Sequence, residues 1–369
     1  MAKKNTAYVK GRGSQLNPAN RFLKNEQEIY LNDLPTEEER LEALRYNAKT
    51  KFIEVFPKTI LNRVHSPDLL FPWSMNPYQG CEHGCVYCYA RNTHEYWGYS
   101  AGKDFEQNIL VKNTAPELLR KTLLTKKWEP AAITLSGNTD CYQPAERKFG
   151  ITRKCLMVFR ELQHPVSIIT KNVMIERDSD ILQDLARENL VWVVLSLTTL
   201  DEDLKRIMEP RTSSARNILR TIGTFRDLKI PVHVNIAPII PSLNDESIFE
   251  VVKAVADAGA LGCSYIVARL NGHNGKIFED WAHKNFPNRA QKIMNQLQHL
   301  HGGQVNDTEY GRRMKGEGKF AEMIQQQFIL ARNKFMAGRK LPELNFSLFE
   351  KRKAELLMQN KDSSQMELF

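Results

Sequence analysis

Between about residues 115 and 270 the chain alternates short apolar runs with amphipathic stretches of helical length, and few architectures can absorb that pattern. The runs cover residues 131–136, 166–170, 190–196, 232–237 and 264–268. They are rich in β-branched residues and nearly continuous, as a parallel strand covered on both faces requires. Around them, residues 117–124, 150–162, 180–188, 215–228 and 248–259 carry apolar side chains at three- and four-residue spacing. Asp178-Ser-Asp180 offers N-caps to the third of these helices, and Gly259 a C-terminal cap to the last. Strands alternating with helices build βαβ units and a parallel sheet. With a first strand before Cys81 the count is about six units, which suits a partial (β/α)6 TIM-like barrel better than a small open sheet. Chemistry then sits at the carboxyl ends of the strands. That places the candidates at 137–143, Thr170-Lys171, 196–199, 238–244 and Arg269-Leu270.

Three regions follow. Residues 1–60 read as a polar, basic, flexible arm with Lys3, Lys4, Lys10 and Gly11-Arg-Gly13, and at most one short helix over 35–47, opened by Thr36 with Glu39 three residues on. Residues 61–274 form the core, and 275–369 a helical, basic extension with Arg312-Arg313 and Lys351-Arg-Lys353. Lys and Arg number 52 against 43 Asp and Glu, a net charge of +9. Such an excess suits a phosphate-bearing partner, or serves only to keep the chain in solution. No apolar run approaches the roughly 20 residues that cross a bilayer, and the first residues lack the apolar stretch of a secretion signal. The expectation is a soluble, cytoplasmic protein with no membrane contact.

Six cysteines without a secretory signal do not read as a disulfide framework. Three lie within eight residues, in Gly80-Cys-Glu-His-Gly-Cys-Val-Tyr-Cys88, where Gly80 and Gly84 let the backbone fold tightly around whatever the thiolates hold. Zinc wants four ligands in a closed site, and His83 stands available as a fourth. An iron–sulfur cluster held by Cys81, Cys85 and Cys88 instead leaves one iron open to a further ligand. Cys155 and Cys263 sit in apolar segments, as small core residues do.

The C-x3-C-x2-C spacing with aromatic Tyr87 before the last cysteine, after the first strand of a partial barrel, resembles the radical S-adenosylmethionine enzymes. That resemblance covers about residues 70–272. It implies a [4Fe–4S] cluster whose open iron chelates S-adenosylmethionine, and an electron from a reductant such as flavodoxin or ferredoxin that splits the sulfonium to methionine and a 5′-deoxyadenosyl radical. Tyr87-Cys-Tyr89, Thr139-Asp140, Thr170-Lys171 and the turn from Ser196 to Asp201 look like the spore photoproduct lyase-related branch. A closer likeness, to an uncharacterised bacterial subfamily within it, runs through Lys10-Gly-Arg-Gly13, Asn17-Pro-Ala-Asn-Arg21, Ser66-Pro-Asp68, residues 139–146, Glu209-Pro-Arg211, residues 238–245 and Leu270.

Roles are implied by position. Tyr87 passes near the adenine, largely through its backbone. Thr139 and Asp140 lie where the methionine amino group is held, and Lys171 where the branch binds the methionine carboxylate. Ser196 and Thr198 meet the ribose, while Ala237 and Pro238 lie by the adenine. One departure matters: the cysteine with which the lyase returns a hydrogen atom falls here on Gly137, leaving nearby Cys141 as the candidate substitute. Tyr89 matches a tyrosine of the lyase's radical relay.

His233, alternating within a strand, reads as a hydrogen-bonded core residue, and Arg269 as either an ion-pair partner or a contact for a substrate anion. After a polar linker, 359–364, the terminal Gln365-Met-Glu-Leu-Phe369 looks like the peptide with which bacterial proteins dock on the replicative sliding clamp. Three functions compete: a radical enzyme acting on nucleic acid by repair or modification, a radical enzyme acting on a protein or small metabolite, and a zinc-stabilised nucleic-acid-binding module without catalysis.

Overall fold

The computed structural model describes residues 9, 11–22 and 49–366. The strands, numbered in chain order, are β1 Lys51–Glu54, β2 Leu61–Arg63, β3 Trp73–Met75, β4 Tyr78–Gln79, β5 Asn108–Val111, β6 Ile133–Leu135, β7 Val166–Thr170, β8 Val191–Ser196, β9 Val232–Ile239 and β10 Gly262–Val267. Seven form one sheet, in the order β10-β9-β8-β7-β6-β3-β2. From β3 to β10 every pairing is parallel, and β2 closes one edge antiparallel to β3. This is the six-strand parallel arrangement of a partial barrel, with no closure between β2 and β10 in the sheet. The two edges are nevertheless tied. Asp68, in the loop after β2, accepts from the Gly311 N–H at 2.6 Å and from Arg313 Nε at 2.5 Å, while Val267 in β10 donates to the Met314 carbonyl at 3.0 Å.

Helices Ala115–Leu123, Ile151–Leu162, Ser179–Arg187, Ala215–Asp227 and Ile248–Ala258 cover the outer face, all within a residue or two of the periodic segments. Gly259 ends the last of them in the left-handed region at φ 111°. Asp178 does not cap its helix; its carboxylate is taken by Arg153 and Tyr142. A further helix, Glu202–Met208, is capped by Asp201, which accepts from Asp203 and Leu204.

Strand parity places the cavity. Ile168, Val193, Leu195, Val234 and Ile236 are fully buried in the main apolar core. Their alternates, Ser167, Ile169, Trp192, Val194, Ser196, His233 and Asn235, line an internal cavity of about 760 Å³. His233 is therefore a wall residue of the cavity, not part of the outer core, though it is hydrogen-bonded as expected, Nε2 to Ser264 Oγ at 2.8 Å.

Two regions differ from expectation. Residues 11–22 are docked instead of free. Arg12, Gly13, Ser14 and Asn20 are buried against the cysteine loop and the segment that follows it, because the Gly13 and Ser14 N–H groups find the Glu106 carboxylate there, and Arg12 and Asn20 donate to the Glu106 and Glu95 carbonyls. The helix expected over 35–47 lies outside the described residues. A small second sheet, order β1-β5-β4, adjoins this strap. The expected linker 359–364 belongs to the helix Ser347–Met366, since nothing in Gln-Asn-Lys-Asp-Ser-Ser stops a helix. The final three residues of the clamp-like peptide lie outside the described residues. Among the described residues no helix is long and apolar enough to cross a membrane.

Candidate active site

The cysteine segment leaves β4 and runs along the cavity floor. Gly80 and Gly84 take positive φ, 80° and 69°, which residues with a Cβ rarely adopt. At Gly80 a Cβ would also meet the carbonyls of Asn108 and Phe105 at 2.9 and 3.0 Å. Cys81, Cys85 and Cys88 all line the cavity, and none is in a disulfide. Burial pushes all three thiols above their ordinary range, with Asp140 adding to it at Cys81 and Glu209 at Cys85.

A buried scaffold sets the loop. Arg91, with no exposed surface, donates from Nε and a terminal nitrogen to the Cys85 carbonyl at 3.1 and 2.9 Å. The same guanidinium pairs with Glu106 at 2.5 Å. Glu106 in turn accepts from the backbone N–H groups of Gly13 and Ser14 at 3.1 and 2.8 Å. Gly13 passes so close to the loop that a Cβ there would stand 1.6 Å from the Gly84 carbonyl oxygen. Only glycine permits this approach.

On the other side the loop is held by Glu209, a buried carboxylate at the end of the helix Glu202–Met208. It accepts from the Tyr87 and Thr198 hydroxyls and from Lys205, and Lys171 Nζ stands 3.2 Å away. Burial alone would raise Glu209, but Lys171 and Lys205 hold it well below the ordinary carboxylate range. Burial likewise disfavours the Lys171 ammonium, and Glu209 outweighs it, raising Lys171 above its ordinary value. Lys171 also donates to the Ala237 carbonyl at 3.2 Å. Glu209 appeared in the sequence only as part of a matching stretch, without a role; a lone Glu-Pro-Arg gives no sign that Tyr87, Thr198, Lys171 and Lys205 converge on it.

The remaining sequence-predicted residues divide. Asp140 lines the cavity, yet its oxygens already accept from Thr170 Oγ1, the Lys171 N–H and the Tyr142 N–H, each at 2.8 Å. Burial works against its charge, but His83 at 3.3 Å and those N–H groups keep it below the ordinary range. Thr139 donates to the Tyr78 carbonyl. Ser196 faces the cavity, and its hydroxyl has no hydrogen-bond partner among the described residues. Ala237 and Pro238 line the same wall, their carbonyls accepting from Lys171 and Asn244. Tyr89 stands in the cavity and donates to the Gly137 carbonyl at 2.5 Å.

Cys141 is the clear correction. It is fully buried in the apolar core and absent from the cavity wall. Its N–H bonds Ser136 Oγ, and its carbonyl accepts from Thr152, so the chain has already turned into the helix layer. A cysteine at 137 would not fit unchanged either, because a Cβ there would meet Ser74 Cβ at 2.8 Å.

The fourth ligand that a closed zinc site needs is not offered by His83. His83 is not a spare ligand, since Nδ1 faces Asp140 and Nε2 faces Asn172 at 3.3 Å. Among the described residues no group of three or more His, Cys, Asp or Glu side chains converges on a single ion. Cys81, Cys85 and Cys88 are three free thiols on one cavity, the donor set that a multi-iron cluster with one open corner uses.

A family model, the radical SAM superfamily, matches residues 75–255. An uncharacterized protein of Mycobacterium tuberculosis is 32% identical over 248 residues, 66% of this chain and 73% of the relative. An uncharacterized protein of Methanocaldococcus jannaschii is 26% identical over 249 residues, 68% of this chain and 89% of that one. Among solved structures, spore photoproduct lyase complexed with dinucleoside spore photoproduct superposes with a TM-score of 0.60 at 14% identity, covering 85% of this chain and 86% of that chain. At that identity the likeness establishes the fold.

Proposed function

Because the chain belongs to the radical SAM superfamily and is a radical SAM enzyme, we propose that Cys81, Cys85 and Cys88 hold a [4Fe–4S] cluster and that the hydrogen abstracted comes from a nucleic acid. Bound there, the cluster and S-adenosylmethionine supply a 5′-deoxyadenosyl radical, with the electron delivered by a flavodoxin- or ferredoxin-like donor. The observation that carries the reading is the convergence, on one cavity, of three free thiols, the Lys171 ammonium and the unpartnered Ser196 hydroxyl.

The chain's own groups then divide the work. Lys171, held by Glu209 and the Ala237 carbonyl, presents positive charge to the methionine carboxylate. Asp140 fixes the Lys171 backbone and, with Thr139, keeps the turn after β6 facing the methionine amino group. Ser196 meets a ribose hydroxyl. Thr198, committed to Glu209, acts on the ribose side by position rather than by contact. Ala237 and Pro238 form the wall proposed for the adenine, and Tyr87 borders it through its backbone. Ile169, Trp192, Val194 and Leu341 keep water from the reacting centre. Tyr89, beside Cys88 and inside the cavity, faces the substrate.

The nucleic-acid reading is supported by the +9 charge and by the fold shared with an enzyme solved with a dinucleoside. The test is anaerobic reconstitution, then iron content and 5′-deoxyadenosine under strong reductant. Wild type is expected to bind about four iron per chain and to form the nucleoside; Cys85→Ala loses both. A colourless wild type that takes up zinc stoichiometrically would refute the reading.

A further inference from the structure

Three permanent cations line the cavity, Lys171, Arg269 and Arg313. Lys171 is paired with Glu209, and Arg313 with Asp68 at 2.5 Å. Arg269, at the end of β10, has no hydrogen-bond acceptor and no ion pair among the described residues. Its guanidinium carbon stands 6.0 Å from the centroid of the Tyr89 ring. The carboxylates in its neighbourhood are already spent, Asp68 on Arg313 and Asp307 on Arg312.

Elsewhere in the molecule buried and half-buried arginines are paired. Arg91 has Glu106, Arg153 has Asp178 and Asp180, Arg160 has Asp184, and Arg211 has Glu82 and the Gly11 carbonyl. A guanidinium cannot relieve partial burial by losing its proton. Its hydrogen-bonding edge is left short of water without gaining an acceptor, which is unfavourable until an anion arrives.

We propose that Arg269 is an anion subsite that anchors a backbone phosphodiester of the nucleic-acid substrate at the cavity rim. The inference rests on the nucleic-acid reading above and adds the contact by which the strand is held. The planar fork of five donors matches two phosphate oxygens at once. Arg313, paired with Asp68, leaves the anion to Arg269. Tyr89 links the subsite to the cysteine loop, being in sequence next to Cys88 and in space beneath Arg269. A strand held there is presented to the reacting region, and Lys171, on the β7 side, remains for the cofactor's own carboxylate.

The experiment is anaerobic fluorescence anisotropy on reconstituted enzyme with S-adenosylmethionine and no reductant. The probes are short fluorescein-labelled single strands of DNA and RNA, titrated over a series of salt concentrations. Arg269→Gln is expected to weaken binding about ten-fold, the scale of one charged hydrogen-bonded contact. It also makes the plot of log affinity against log salt shallower by about one. Arg269→Lys recovers the slope and part of the affinity. A strand with one methylphosphonate at the contacted linkage weakens wild type and costs Arg269→Gln nothing further. Strong, salt-sensitive wild-type binding with an unchanged Arg269→Gln overturns the subsite and leaves the nucleic-acid reading standing. A wild type that binds neither strand overturns both.

Discussion

The two walls of the cavity are built on opposite terms. On the cysteine side the charges that brace the loop are committed: Arg91 to Glu106 and the Cys85 carbonyl, Glu106 to the strap, Glu209 to Tyr87, Thr198 and two lysines. Backbone crowding at Gly13 and Gly84 leaves no slack. On the β10 side Arg269 keeps an uncommitted charge, and Leu69 and Leu70 stand exposed. The difference teaches where the fold holds geometry and where it holds affinity in reserve. A loop that must present three sulfurs to one cluster has to be over-determined, because a small displacement of any one changes what can bind. A wall that meets a substrate does the reverse, leaving groups unsatisfied until the partner satisfies them.

That contrast can be broken experimentally. The largest effect is expected from Glu106→Ala, which strands the buried Arg91 without its carboxylate; urea denaturation should register a loss of about 3–5 kcal/mol. A loss under about 1 kcal/mol would mean the scaffold is not what holds the loop. Gly13→Ala comes next. Its methyl group must push the strap off the Gly84 carbonyl, at a cost of about 1–3 kcal/mol. Reconstituted protein should retain less iron per chain, although residue 13 touches none of the cysteines. Normal stability with full iron content would show that the strap is decoration. Smallest is Arg269→Gln, expected to change folding stability by no more than about 0.5 kcal/mol, since no internal partner is lost. A loss above 2 kcal/mol in the same denaturation series would reveal a structural ion pair and erase the difference between the walls.

Much of this was legible along the chain. The five runs after residue 130 all became strands, and the five amphipathic segments all became helices, because period and length are properties of neighbours in sequence. The placement of Lys171, Ser196 and Asp140 on one cavity followed from strand ends alone. What stayed hidden depended on parity and on distant segments. His233 and Cys141 are both in apolar surroundings in the sequence, yet one faces the cavity and the other the helix layer. The basic residues 11–22 look like a solvated arm until the buried Glu106 that needs their N–H groups is in place.

By itself, then, the order of residues determined the alternating architecture and the grouping of three cysteines on one loop, since spacing of a few residues decides which side chains can face one strand end or one turn. Only the tertiary structure decided that Glu209 gathers Tyr87, Thr198 and Lys171, that Gly13 lies against Gly84, and that Arg269 has no ion-pair partner among the described residues. Those relations join segments tens to hundreds of residues apart, and whether a charge is satisfied is a property of everything packed around it.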